Sequence, residues 1–121
     1  MNKLPRITEI IKTEPFKIIS KWTTGEVLVT DFELFFNKWK KDNYILMYPL
    51  MNYNIFKYVS ISETKTFQWV NIPIEIKSFT GSISKMPLDI CPDTIYSISK
   101  PIQYYKLVPV EIFETEDIVF V

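Results

Sequence analysis

"FKIISKWTTGEVLVTDFELFFNKW", residues 16–39, decides the architecture, because its hydrophobic period changes once and its direction reverses once. Residues 16–23 are rich in β-branched and aromatic side chains, with Phe16, Ile18 and Trp22 on one parity, and "EVLVTD" restores the alternation after Thr24 and Gly25. Such runs read as strands, and Gly25 supplies the positive φ that a tight hairpin needs. Beyond Asp31 the period lengthens: Phe32, Phe35, Phe36 and Trp39 fall at i, i+3, i+4 and i+7, which places four aromatics on one stripe of a helix. Asp31 suits the N-cap, and Lys38, Lys40 and Lys41 suit the negative end of the helix dipole. The stretch therefore predicts strand, turn, strand and then an amphipathic helix over about 32–41.

Working outward, "PRITEIIK" (5–12) predicts a strand before this unit. "YPLMNYNIF" (48–56), with a proline and two asparagines, predicts an irregular connection. "FKYVSISETKTFQWV" (56–70) reads as a hairpin turning near Glu63–Lys65, and "IPIEIKSF", Thr80-Gly81 and "SISKMPLDI" repeat the grammar of strand, glycine turn, strand. Hairpins without strand–helix alternation predict an α+β class: an antiparallel sheet with one main helix packed on it. The 121 residues, 47% hydrophobic with 16% aromatics, are enough for a single core. We expect one domain over 1–99, followed by an acidic, β-like extension over 100–121.

Composition closes several chemistries. The chain has no histidine, which removes Ser-His-Asp and Cys-His nucleophile systems and histidine-based zinc sites. Two glycines, at 25 and 81, cannot build a glycine-rich phosphate loop. Fourteen basic residues balance fourteen acidic ones, so there is no bulk field to draw the molecule to nucleic acid or anionic lipid. A single cysteine, no leader-like apolar run at the N-terminus and no apolar stretch of membrane-spanning length predict an intracellular, cytoplasmic protein without a membrane segment.

Three candidate sites remain. Asp89, Asp93 and Glu75 could together serve a carboxylate-dependent hydrolase or hold a hard cation. The aromatics Phe56, Tyr58, Phe67 and Trp69, interleaved with lysines, could form a single-strand nucleic-acid platform, although zero net charge makes direct nucleic-acid binding a poor fit. The acidic cluster Glu111, Glu114, Glu116 and Asp117 lies in a β-like run suited to contact with a partner protein, or to a homodimer made through a sheet edge. No catalytic residue, metal ligand or cofactor is assigned.

In "LDICPDTIY" (88–96) Pro92 restricts Cys91 to extended backbone, and Asp93 and Thr94 offer side-chain oxygens to nearby amides. We read Asp89, Pro92, Asp93, Thr94 and Tyr96 as a structural latch, with Asp93 capping a short turn over 94–98. Ile90, Ile95 and Tyr96 anchor it to the core, and Cys91 is read as buried and inert.

These residues carry a resemblance. "DICPDTIY", preceded by "FQWVN" and, far upstream, by "TTGEVLVTDF", resembles the small prokaryotic family catalogued as domain of unknown function 2442. The matching positions are Gly25, Glu26, Asp31, Trp69, Asn71, Asp89, Pro92, Asp93, Ile95 and Tyr96, within about residues 6–98. The chain departs from that pattern in an inserted hairpin over 72–88 and in the tail after Ser99. The resemblance implies a compact α+β domain and no defined activity. Some relatives are fused to a helix-turn-helix domain, which this chain lacks, and others are encoded beside another small protein in the manner of toxin–antitoxin pairs. The function expected is thus an antitoxin-like interaction or regulatory module whose partner comes from an adjacent gene.

Overall fold

The protein is described by a computed structural model over residues 4–104. Strands β1 (Ile7–Glu14), β2 (Lys17–Trp22) and β3 (Val27–Asp31) lead into helix α1 (Phe32–Lys41). A 3-10 segment (Ile45–Met51) and a single helical turn, α2 (Tyr53–Phe56), follow. Strands β4 (Ser60–Ile61), β5 (Phe67–Lys77) and β6 (Ile83–Asp89), helix α3 (Pro92–Ile98) and the short strand β7 (Lys100–Pro101) complete the order. The class is α+β, with every strand pair antiparallel. The strands divide into two sheets, β1-β2-β3-β7 and β4-β5-β6, where the sequence predicted one.

One core serves both sheets. Ile7, Ile18, Trp22 and Leu28 from the first, Phe67, Trp69 and Leu88 from the second, and the aromatic stripe of α1 are all buried in a common cluster. Asp31 caps α1 as expected, accepting from the Glu33 amide at 3.0 Å. Phe32, the first residue of the helix, packs its ring against Phe35, Phe36, Phe56, Phe67 and Trp69 at centroid separations of 5.0–6.5 Å. Lys100 and Pro101 pair with Val29 and Leu28, so the chain is still part of the first sheet beyond residue 99. Residues 105–121, including Glu111, Glu114, Glu116 and Asp117, lie outside the described residues.

Three hairpins use one turn. In 22–26, 62–66 and 78–82 the first N–H donates to the fifth carbonyl at 2.9–3.0 Å, and the fourth N–H donates to the first carbonyl at 2.9–3.1 Å. The fourth residue has positive φ: Gly25 at 88°, Lys65 at 64° and Gly81 at 90°. This is the three-residue loop with a bulge, and only the middle hairpin makes it without glycine.

The last hairpin stands away from the body as an arm. Trp69 pairs with Leu88 and the next pair is Pro73 with Pro87, so residues 70–72 form a bulge where the arm departs. Because 78 and 82 are a hydrogen-bonded pair, alternation makes 76–84 and 74–86 bonded pairs and leaves 73–87 a non-bonded one. Both prolines therefore lack only an outward-facing N–H. The ladder loses nothing, and both outer edges of the arm are blunted against further strands. Ile74, Ile76 and Met86 share one face of the arm, and Glu75, Lys77, Ile83 and Lys85 the other.

Candidate functional site

The segment leaving β6 alternates inward and outward. Leu88 and Ile90 are buried, Asp89 and Cys91 exposed. Ile90 is fixed at both main-chain groups: its N–H donates to the Phe67 carbonyl at 3.3 Å, and its carbonyl accepts from the buried Thr66 hydroxyl. Cys91 occupies the N-cap position of α3 in extended backbone, without a side-chain capping bond, and Pro92 stands in the first turn, where its missing N–H costs nothing. Ile95 is fully buried. Tyr96 lays its ring 5.2 Å from Trp22 and donates from its hydroxyl to Glu26 Oε1 at 2.6 Å.

Several expectations for this segment are corrected. Asp93 does not cap the helix: α3 begins at Pro92, and the Asp93 carboxylate accepts instead from Arg6 Nη1 at 3.2 Å. That ion pair is exposed and contributes little. Cys91 is not buried, because Pro92 holds it extended and the alternation that sends Leu88 and Ile90 inward turns Cys91 outward together with Asp89. Thr94 is likewise not tied down by its side chain: it is exposed, no hydrogen bond among the described residues engages its hydroxyl, and only its carbonyl accepts, from Ser97 Oγ at 2.7 Å.

Most residues of the sequence signature hold backbone or one another. Glu26 meets Tyr96, Asp31 caps α1, the Trp69 indole donates to the Phe56 carbonyl at 2.9 Å, and Asn71 reaches the Ile55 carbonyl at 3.4 Å. Asp93 meets Arg6 instead, and Asp89 does not serve the latch expected of it: among the described residues no hydrogen bond or ion pair engages its carboxylate.

Asp89 and Cys91 lie on a cleft of about 620 Å³ between α1, the 3-10 segment and α3. Phe35, Trp39, Met47, Ile90 and Ile98 give it an apolar floor, and the half-exposed Leu34 stands at its edge on α1. On the rim, Lys38 pairs with Asp42 at 3.2 Å, which leaves Asp89 as the uncompensated charge among the described residues. A second hollow of about 150 Å³ shares Tyr44, Met47 and Asp89 and continues onto Ile74 and Met86 of the arm. Sequence reasoning missed this surface. Leu34 lies off the aromatic stripe, and that single apolar residue on the outer side of α1 was the available signal.

The other candidates are not assembled. Glu75 lies on the arm opposite Lys85, Asp89 at the cleft and Asp93 against Arg6. Among the described residues no three His, Cys, Asp or Glu side chains are grouped to hold a metal ion. Phe56, Phe67 and Trp69 are buried in the core, so of the four aromatics only Tyr58 is offered to solvent. Among the described residues no helix is long and apolar enough to cross a membrane. No family model, curated protein or solved structure matches the chain.

The Glu26–Tyr96 bond gives the attachment of α3 a pH signature. Donation from Tyr96, then from Thr24, holds the Glu26 carboxyl below its ordinary range; the same bond, then burial and the Glu26 charge, raises the Tyr96 phenol. A depressed carboxyl stabilises above its unfolded value and loses that contribution as pH falls through the folded one. A raised phenol stabilises below its unfolded value and loses the contribution as pH rises through the folded one. Tyr96→Phe should cost about 1 kcal/mol at neutral pH and nearly nothing at either extreme, as measured by denaturant unfolding across pH. A pH-independent difference would show that the bond is not the cause.

Proposed function

We propose that the chain is a small interaction or regulatory module, antitoxin-like in its manner of working, that binds a partner protein at the cleft between α1, the 3-10 segment and α3. The observation that supports it most is an open, apolar-floored cleft whose rim carries, among the described residues, one uncompensated carboxylate, Asp89. An apolar side chain with a neighbouring lysine or arginine has the complementary chemistry, the first filling the floor and the second meeting Asp89. The arm's edges are a poorer route to a partner, since Pro73 and Pro87 blunt them. The resemblance to the family named above supports seeking the partner in the product of an adjacent gene.

Leu34→Glu tests the reading. Leu34 is half exposed, so a charge there leaves the core intact while placing a carboxylate at the cleft mouth. Calorimetric titration with the neighbouring gene's product should show binding to the native chain and affinity at least about tenfold weaker for the variant. Equal affinity, or no association with the native chain, would rule the cleft out as that partner's site.

A further inference from the structure

The chain itself carries the chemistry that the cleft accepts. At the tip of the β5–β6 arm, Phe79 is fully exposed, and Ile83 on the same hairpin is more than half exposed. Lys77 stands opposite Ile83 and has no acidic partner among the described residues. An apolar tip with an adjacent cation is thus displayed on a hairpin that extends about 20 Å past its proline base, at about 3.3 Å per residue. A two-stranded hairpin with an apolar face gains little from standing alone in water. This one displays Ile76 and Met86 at 46% and 42% exposure, continuing the apolar surface of the cleft outward.

We propose that two copies of the chain exchange arms, each seating Phe79 in the other's cleft and bringing Lys77 to the other's Asp89. The complementarity lies within one sequence: an apolar floor beside an uncompensated carboxylate at one place, an exposed aromatic beside an uncompensated lysine at the other. Reciprocal exchange across a two-fold axis uses both features of both copies and closes the assembly, whereas one-way docking would leave an arm and a cleft open for indefinite growth. The proline-blunted edges direct the arm to this use, since they oppose continuous strand pairing but leave its tip and faces available. The inference rests on the reading of the cleft as a protein-docking surface. It adds that the second copy and the partner compete for the cleft, so that self-association keeps the site closed until the partner is present.

Sedimentation equilibrium of the full chain, from about 1 to about 100 µM, tests the exchange. The mass should rise from the 14.4 kDa of one chain toward twice that value. Phe79→Ser should raise the dimer dissociation constant at least about tenfold without changing the fold, because Phe79 is solvent-exposed in the single copy. Asp89→Lys should weaken the dimer, and adding Lys77→Glu should restore it, an outcome that a general loss of folding cannot give. A monomer throughout the range, a dimer indifferent to Phe79→Ser, or no rescue by the charge exchange would overturn the proposal. A monomer that still binds the neighbouring product at the cleft would overturn only the arm exchange. A dimer that competes with no partner would overturn only the partner reading.

Discussion

Phe32→Ala should lower the unfolding free energy by about 3–5 kcal/mol, a large share of the roughly 5–15 kcal/mol typical of a domain this size. The size of the effect follows from position. Phe32 is the residue at which β3 becomes α1; it is fully buried, and its ring touches aromatics from α1, α2 and β5. Its amide donates to the Phe16 carbonyl at 2.8 Å, so the backbone on either side is held and cannot slide in to fill the void. Removing the ring opens a cavity at the junction of both sheets, and a site that cannot collapse pays both the transfer and the cavity terms. Denaturant unfolding followed by tryptophan fluorescence measures it. A loss below about 1 kcal/mol would mean that the two sheets do not share a core.

Ile95→Ala should cost about 2–4 kcal/mol and act most strongly on one wall of the cleft. Helix α3 has seven residues, too few to persist by propensity alone, so tertiary contacts must hold it. Ile95 is its only fully buried side chain, and the Ile95 carbonyl accepts from both the Ser99 amide at 3.1 Å and the Ser99 hydroxyl at 2.7 Å. That hydroxyl also lies 2.6 Å from Thr30 Oγ1 on β3, so the same residue ties the helix end to the first sheet. Hydrogen exchange should show the Ile95 and Ser99 amides losing protection before the amides of β2 and β3 do. Uniform loss across the domain would indicate that α3 unfolds only with the whole.

Local signals made most of the fold legible. The alternation of 16–31, the positive φ at Gly25 and the aromatic stripe of α1 each arise from neighbours in sequence, and each is where the sequence places it. The hairpin through Glu63–Lys65 was equally readable, although Lys65 adopts the left-handed conformation usually left to glycine. The split into two sheets was not readable, because strand partners say nothing about where a ladder stops. Asp93 could not be placed either: the helix begins at Pro92, which puts Asp93 inside the first turn and not at the cap, and its partner Arg6 is 87 residues away. The exposure of Cys91 was legible in principle. Leu88 and Ile90 fix the inward parity, and a cysteine one residue on must face out. The cleft was hidden for a different reason: its walls come from α1, the 3-10 segment and α3, which only the folded chain brings together.

Cys91, the one cysteine of the chain, lies on that cleft and reports on it directly. The most direct measurement is its alkylation rate in the native protein at low concentration, with and without a saturating amount of the neighbouring gene's product. The cleft account predicts open access in the isolated chain and at least about tenfold slower alkylation in the complex, with the protection lost in Leu34→Glu. A complex that forms while Cys91 remains as reactive as before would place the partner elsewhere on the molecule and contradict it.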